Sequence, residues 1–330
     1  MTNGAQAAPR RALRPLLVAA GLAGSALFLY LALRDVDFDA FWRALRESSW
    51  AWLVPALGAL AGSVALRVAR WRYLFDPAAR PPVRAATRAL LVGELLNSFL
   101  PLRAGEVARV VVLHRDTGAS RAQAAGTLVA ERLLDTLALL VLLFVTVPFI
   151  PEVTWLRTAT VLLAVAALAL VGTVVVLRLY GERPLAVILR PFGRLLRFSP
   201  ERTAAAAARL LSGGRAFREL RAGALAFALS VVIWLGVALS FWLAMRAVHL
   251  ELGFGAALLV AVATTFALVI PSLPSAVGVF EAATLVSLQP YGVDDARALA
   301  CAVVLHVLSF APFIAAGLVA LRLRPGWRAR

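Results

Sequence analysis

The chain has 330 residues, of which 62% are hydrophobic, and its mean hydropathy is +0.84. A soluble domain of this length does not carry so many apolar residues, so the composition predicts a polytopic membrane protein. The formal net charge is +16, and all 34 basic residues are arginine. Because these arginines lie between apolar segments, they indicate membrane topology rather than nucleic-acid binding. The single cysteine, Cys301, excludes an intrachain disulfide, and the three histidines have no metal-ligand spacing.

Apolar segments of membrane length recur along the chain and predict an all-α fold with about six full transmembrane helices. In chain order they cover about 15–33, 50–66, 122–148, 157–177, 223–245 and 298–321. We expect one membrane domain over 15–322, preceded by a basic cytoplasmic tail at 1–14 and followed by a second cytoplasmic tail at 323–330.

Two further apolar segments, about 85–115 and 255–290, are each interrupted by the same Leu-Pro-x-x-x-Gly pattern. The first reads NSFLPLRAGEVAR, and the second reads PSLPSAVGVFEAA. Proline removes a backbone donor and glycine adds conformational freedom, so each segment is expected to be a hairpin of two helices. In lipid such a break survives only where protein or a water-filled cavity covers the freed backbone groups. Matched breaks in two halves of a transporter point to a substrate site near the membrane midplane.

Charge decides whether these hairpins cross the membrane or re-enter on the same side. If both re-enter, the loop 178–222, with ten arginines against three glutamates, lies in the cytoplasm with both termini. If each crosses once, that loop lies outside, against the strongest charge signal in the chain. We therefore favour re-entrance. Three full spans separate the hairpins, so the first enters from the cytoplasm and the second from outside, as an inverted pair.

Ionisable side chains within membrane segments are costly, which makes them candidates for function. These candidates, with one amide, are Glu94, Asn97, Arg103, Glu106 and Arg109 in the first hairpin, Glu131, Arg132 and Asp135 in the third span, Glu281 in the second hairpin, and His306 in the last span. Arg103 lies inside the break, beside a helix N-terminus expected near Gly105, where a phosphate or carboxylate would bind. The alternative is that Arg103 or Arg109 pairs internally with Glu106 or Asp135.

The third-span residues are open to two interpretations. Glu131 and Asp135 are four residues apart on one helix face, where they would form a cation or proton relay or partner the hairpin arginines. For Arg132 we favour a structural role, and Asp135 stays open between the two.

The second hairpin carries less charge than the first. Ala276, Val279 and Ala282 occupy the positions of Arg103, Glu106 and Arg109. Ser272, Ser275, backbone groups and Glu281 remain as its polar groups, so anion binding is expected at the first hairpin. His306 is a candidate for titration near neutrality, but a hydrogen-bonded packing role is favoured for it. No sequence signature of an enzyme is present.

The pattern of Asn97, Leu100-Pro101, Gly105-Glu106 and Arg109, followed by Glu131-Arg132 and Asp135, resembles the transmembrane domain of lysylphosphatidylglycerol synthases. Stand-alone flippase-like membrane proteins share this domain. Leu273-Pro274, Gly278 and Glu281 resemble the second motif of that family, and the likeness covers roughly 15–322. His306 stands where the family is expected to have an arginine.

The resemblance implies a domain that moves a phospholipid, or a related polar lipid, between leaflets. Because the chain stops at Arg330, we expect no aminoacyl-transfer activity. The expected substrate-binding residues are Asn97, Pro101, Arg103, Gly105, Glu106, Arg109, Glu131, Arg132, Asp135, Ser272, Pro274, Ser275, Gly278 and Glu281.

The first hypothesis is a lipid flippase or facilitator in the cell inner (plasma) membrane, with an anionic phospholipid headgroup at the hairpin tips and no cofactor or metal. The second is an ion- or proton-coupled transporter of small solutes that uses Glu106, Asp135 and Glu281. The third is an accessory subunit of an enzyme that assembles lipids or glycans. Whether the protein forms a homo-oligomer or binds a lipid-synthesising enzyme stays open.

Overall fold

The computed structural model describes residues 24–34, 36–100, 103–151, 219–268 and 274–322, with the single positions Val165, Leu168, Ala169, Gly172 and Val176. The predicted span 157–177, apart from those five positions, lies outside the described residues, as do the tails 1–14 and 323–330 and loop residues 178–218. The described residues form helices and contain no strand. The helices are α1 (Gly24–Leu33), α2 (Phe38–Arg46), α3 (Leu53–Tyr73), α4 (Val83–Phe99), α5 (Gly105–Thr117), α6 (Arg121–Thr146), α7 (Leu220–Ala247), α8 (Phe254–Ala267), α9 (Val279–Leu288) and α10 (Asp295–Arg322).

Three of the described helical segments are long and apolar enough to cross a membrane. They are Trp50–Tyr73, which contains α3, and the helices α7 and α10, with lengths of 24, 28 and 28 residues. About 20 residues suffice to span the hydrocarbon core. Helix α6 has 26 residues but carries Glu131, Arg132 and Asp135, so its composition alone does not identify it as a span. The prediction of a helical membrane protein is confirmed, whereas six spans and re-entrance stay predictions.

Helix α3 extends beyond the predicted end of the second span at about residue 66. It continues to Tyr73, so Arg67 and Arg70 belong to the helix. Hydropathy places the end of a helix at the first charged residue, but Arg70 is completely buried and bonded to carboxylates. The connection to α4 is accordingly short, with a single turn at Pro77–Ala79.

Both interrupted segments form helical hairpins, as the sequence predicts. In the first, α4 and α5 pack antiparallel, because Gly93 lies against Arg109 while Asn97 lies against Gly105. The second consists of α8 and α9, which also pack against each other, joined through the turn Pro274–Ala276.

The turn after α5 reverses the chain, so that α6 runs back beside α5. Helix α5 is capped by Gly118, whose φ of 73° disfavours any residue with a side chain. Two residues later, the Ser120 hydroxyl accepts a hydrogen bond from the Gln123 N–H at 3.4 Å and caps α6. This short connection places the first half of α6 beside α5.

Helix α10 contacts both hairpins. On the first, Arg88 of α4 pairs with Asp116 of α5 at 2.6 Å and also donates to the carbonyl of Ala320 on α10 at 3.0 Å. Nearer its N-terminus, α10 packs against α9 of the second hairpin. Between these regions α10 contains Pro312, which has no N–H to donate to the carbonyl four residues earlier.

The close contact between α4 and α5 predicts that Gly105→Ala destabilises the protein. A methyl group at this position would overlap the carbonyl oxygen of Gly93 and lie 2.5 Å from Asn97 Oδ1. We expect a loss of about 1–3 kcal/mol in the free energy of unfolding, as for other overpacked sites. Thermal unfolding in detergent, followed by labelling of the buried Cys301 thiol with a maleimide dye, measures the change.

Gly58→Ala is the matched control, since no atom lies within 4 Å of its added methyl group. Its stability should change by less than about 1 kcal/mol. Equal unfolding temperatures for the two variants would contradict the close packing of this hairpin.

Candidate functional site

The two breaks touch each other. Helix α4 ends at Phe99 and α5 begins at Gly105, while α8 ends at Ala267 and α9 begins at Val279. The hydroxyl of Ser275, in the second break, donates a hydrogen bond to the carbonyl of Ser98 at 3.0 Å. This bond satisfies one of the backbone groups that the end of α4 leaves free.

The backbone of both breaks adopts unusual conformations. Arg103 has a φ of 52°, and in the second break Ser275 and Ala276 have φ values of 58° and 59°. Residues with side chains seldom adopt positive φ, and such residues concentrate at functional sites. Two of the predicted site residues, Pro101 and Ser272, lie outside the described residues.

A buried carboxylate, Glu131 on α6, lies at the centre of a charged cluster behind the first break. It receives a two-pronged bond from Arg109 of α5, with both N–O distances at 3.0 Å. The side chain of Glu131 has no exposed surface, and that of Arg109 is 3% exposed. The Arg109 guanidinium also stacks on the ring of Trp71 at 3.8 Å from its centroid. Trp71 is itself fixed by a hydrogen bond from its indole N–H to the Thr127 hydroxyl at 3.0 Å.

A second buried arginine, Arg70 on α3, joins the same cluster. It forms an ion pair with Asp135 and lies 3.5 Å from Glu131. It also donates to the hydroxyl of Ser230 on α7 at 2.5 Å. The indole of Trp234, also on α7, donates to Asp135 at 3.2 Å. These bonds connect α3, α6 and α7 through charged groups that have almost no contact with solvent.

The more accessible edge of the cluster is formed by Arg132 and Arg67. Arg132 bonds to Glu131 at 2.7 Å and lies 3.6 Å from Glu106 and 3.8 Å from Asp135. Arg67 bonds to Glu94 at 2.5 Å. Glu94 and Glu106 line a shallow crevice between α4 and α5 together with Asn97 and Gly105.

The charges in this cluster balance. It contains the four arginines Arg67, Arg70, Arg109 and Arg132 and the four carboxylates Glu94, Glu106, Glu131 and Asp135. Arg103 is additional to these pairs. It is half-buried in the break, within electrostatic range of Arg132 and Glu106, and it makes no ion pair or hydrogen bond with any described residue. The break therefore carries one positive charge that the described cluster does not neutralise.

Ion pairs link Arg109, Arg132 and Asp135 to partners within the cluster. Internal pairing holds for Arg109, although its partner is Glu131 and not Glu106 or Asp135. Arg132 contacts carboxylates, as its predicted structural role requires. Asp135 partners Arg70, which lies beyond the end that hydropathy predicts for the second span.

The second hairpin has a separate polar pair. Glu281, at the start of α9, accepts a hydrogen bond from the Gly278 N–H at 2.6 Å and lies 2.5 Å from His306 Nδ1 on α10. His306, for which the sequence favours a hydrogen-bonded packing role, is hydrogen-bonded to this carboxylate and packs against Phe280 and Phe310. The structure places Pro274 and Ser275 in the turn that touches the first hairpin.

Sequence reasoning did not identify Arg67, Arg70, Trp71, Ser230 and Trp234 as parts of the site. Their signal is periodic: Arg67, Arg70 and Trp71 are three and four residues apart, on one face of an apolar helix that continues through them. Ser230 and Trp234 have the same four-residue spacing on α7. No pattern in the sequence links these two faces to α6.

Comparison with known proteins bears on the whole of this arrangement. Residues 18–317 match the family model described as the lysylphosphatidylglycerol synthase TM region, which is most of the chain. Among curated proteins, none matches.

The position of Glu131 predicts that Glu131→Gln strongly destabilises the protein. The substitution leaves Arg70, Arg109 and Arg132 around a neutral side chain in a region of low dielectric constant. We expect a loss of about 3–5 kcal/mol in the free energy of unfolding, typical of breaking a buried ion pair. Combining it with Arg109→Gln removes one excess charge and should recover part of that loss. Thermal unfolding in detergent measures both effects.

Asp294→Asn is the control, because its pair with Arg297 is 3.6 Å long and 60% exposed on both sides. An exposed pair contributes little, and the change should stay within about 0.5 kcal/mol. A Glu131→Gln variant as stable as this control would refute the central role of the carboxylate.

Proposed function

Because the chain belongs to the lysylphosphatidylglycerol synthase transmembrane family, we propose that it is a lipid flippase or facilitator. It moves a phospholipid, or a related polar lipid, between the leaflets of the cell inner membrane. The matched model covers the transmembrane region of the synthase family, so aminoacyl transfer is not part of the proposal. The termini and the basic loop 178–222 face the cytoplasm.

The observation that carries this proposal is the uncompensated charge of Arg103. A phosphodiester headgroup brings one negative charge and several acceptor oxygens, which the guanidinium fork of arginine matches. The neighbouring arginines are already held by carboxylates, so Arg103 is available to a ligand where Arg109 is not. The headgroup therefore binds at Arg103, and the balanced cluster behind it fixes the shape of the break.

The surroundings of Arg103 favour a lipid over a small solute. Phe99 and Leu100 before it are 53% and 42% exposed, and Val107 after it is 67% exposed. Exposed apolar side chains on both sides of a cation fit a ligand whose head is charged and whose tails stay in the bilayer. Two of the carboxylates that an ion-coupled solute transporter would use, Glu106 and Asp135, are held by arginines.

The mechanism we propose uses the two hairpins as an inverted pair. The hydrogen bond between Ser275 and Ser98 joins the two breaks. The second break contributes no arginine to this contact. Alternating exposure of the first break to each side passes the headgroup across while the second hairpin closes the path. The proposed partners are anionic membrane lipids. Co-purification would show whether the protein also binds a second copy of itself or a lipid-synthesising enzyme.

Arg103→Gln is expected to lower lipid translocation by roughly tenfold, since it removes a charge-assisted bond to the headgroup phosphate. Fluorescent phosphatidylglycerol in proteoliposomes, quenched from outside, measures the rate. Arg115→Gln is the matched control: Arg115 is an exposed arginine on α5 of the same hairpin. Stability should be unchanged in both.

Wild-type translocation by Arg103→Gln would refute the assignment of the headgroup site. If the wild-type protein moves no lipid and instead co-purifies with a lipid- or glycan-assembling enzyme, the accessory-subunit hypothesis replaces the proposal.

Re-entrance predicts the side of the membrane on which the basic loop lies. In a Cys301→Ser background, Ser212→Cys introduces a single thiol in the loop 178–222. An impermeant maleimide should label it in inverted vesicles and not in intact cells. Residues 34–49, between the first and second predicted spans, are expected on the outer side, so Glu47→Cys should give the opposite result. Labelling of Ser212→Cys in intact cells would mean that the hairpins cross the membrane.

A further inference from the structure

Glu281 is bonded through both of its carboxylate oxygens. Oε2 accepts the N–H of Gly278 at 2.6 Å, at the N-terminus of α9, and Oε1 lies 2.5 Å from Nδ1 of His306. A carboxylate is favoured at a helix N-terminus, because the free N–H groups and the helix dipole stabilise its charge. Glu281 is thus held as an acceptor, and the Nδ1 of His306 carries the hydrogen that they share.

The other nitrogen of His306 is free to take a proton. Nε2 has no hydrogen-bond partner among the described residues, and the side chain is 14% exposed, so the packing does not seal the imidazole completely. The imidazole lies against Phe280 and Phe310, with ring centroids 5.1 and 4.7 Å away. Aromatic neighbours and an adjacent carboxylate both stabilise an imidazolium.

No other described charge is paired with these two groups. Helix α8 has no titratable side chain, and α9 has only Glu281. On α4, Glu94 bonds to Arg67, Arg88 bonds to Asp116, and Arg84 is exposed. The other titratable groups on α1, α2, α7 and α10 are mostly exposed: Tyr30, Asp39, Arg43, Arg46, Arg221 and Arg322. Of the rest, Arg246 stacks on Trp242 and Arg297 pairs with Asp294. The last two are Asp295, at the start of α10, and the buried Cys301.

A change at this pair is transmitted to the contact between the hairpins. Glu281 holds Gly278, and three residues before Gly278 is Ser275, whose hydroxyl bonds to the carbonyl of Ser98. Gly278 is also confined from the other side, since its Cα faces the carbonyl of Ser25 on α1. The segment from Ser275 to Glu281 is therefore anchored at both ends.

We propose that Glu281 and His306 form a proton-binding site that couples lipid translocation to protonation of the second hairpin, an inference that rests on the proposed function. Neutral His306 accepts a proton from water at Nε2 and becomes an imidazolium paired with the ionised Glu281. The pair is then neutral as a whole and ties α9 to α10. Loss of the proton leaves one buried negative charge, which weakens the tie and frees the second break from the first.

Proton binding is tested directly and without any lipid assay. In protein labelled with ¹⁵N-histidine and reconstituted in nanodiscs, the His306 signals are followed from pH 8 to pH 5 and should change from those of the neutral imidazole to those of the imidazolium. His306→Asn identifies its signal, with His114→Asn and His249→Asn identifying the other two. Glu281→Gln should reduce the fraction of imidazolium seen at a given pH, because it removes the negative partner. A His306 signal that does not titrate in this range, or is unaffected by Glu281→Gln, overturns the proposal.

Coupling is tested by the pH dependence of translocation in proteoliposomes. The wild-type rate should fall by about threefold or more from pH 8 to pH 5.5, as the imidazolium pair forms. His306→Asn keeps a donor toward Glu281 without titrating, so its rate should be independent of pH. The control His249→Asn, at an exposed histidine that bonds to the Glu47 carbonyl, should behave like wild type.

The two proposals fail in different ways. If the wild-type protein moves no lipid at any pH, the proposed function is refuted even where the titration is observed. If lipid moves and the His306→Asn variant keeps the wild-type pH profile, coupling at this site is refuted while the proposed function stands. Thermal unfolding of His306→Asn and His306→Gln establishes that the variants used are folded.

Discussion

The need to pair the buried carboxylate of Glu131 governs the arrangement of the first half of this protein. An ionised carboxylate with no exposed surface costs several kcal/mol to bury unless cations and donors surround it. Here Arg109 supplies a forked bond, while Arg132 and Arg70 supply further contacts at 2.7 and 3.5 Å. These partners come from the first hairpin, from α6 itself and from α3. Meeting the requirement of one side chain thus holds three separate elements together and fixes the hairpin against the long helices.

The two hairpins share the same break but differ in the charged groups around it. The first break is backed by balanced ion pairs and presents one uncompensated arginine. The second has an alanine where that arginine stands, and its one acid is held between a helix N-terminus and a histidine. A transport site needs a group that binds the ligand and a group that controls access to it. The difference in charge between the hairpins supports such a division of labour.

Local features of the sequence predicted the parts of the fold that local chemistry determines. Proline and glycine identified both breaks, because a missing N–H and a missing Cβ act on the chain wherever they occur. The end of α3 and the role of Arg70 were not predictable in this way. An arginine in an apolar helix is costly alone and acceptable beside a carboxylate, and the partner, Asp135, is 65 residues away. The pairing of Glu281 with His306 likewise depends on a contact between two helices, across 25 residues of sequence.

Helix α10 is attached to one hairpin on each side of Pro312. Before the proline, His306 bonds to the second hairpin, and after it the carbonyl of Ala320 accepts a bond from Arg88 of the first. The ring of Pro312 leaves the carbonyl of Leu308 without its helical donor, which makes this the point where the helix bends most readily. Helix α10 therefore links the two hairpins through a hinge at Pro312. Bending at this hinge would change the angle between the hairpins without breaking either attachment.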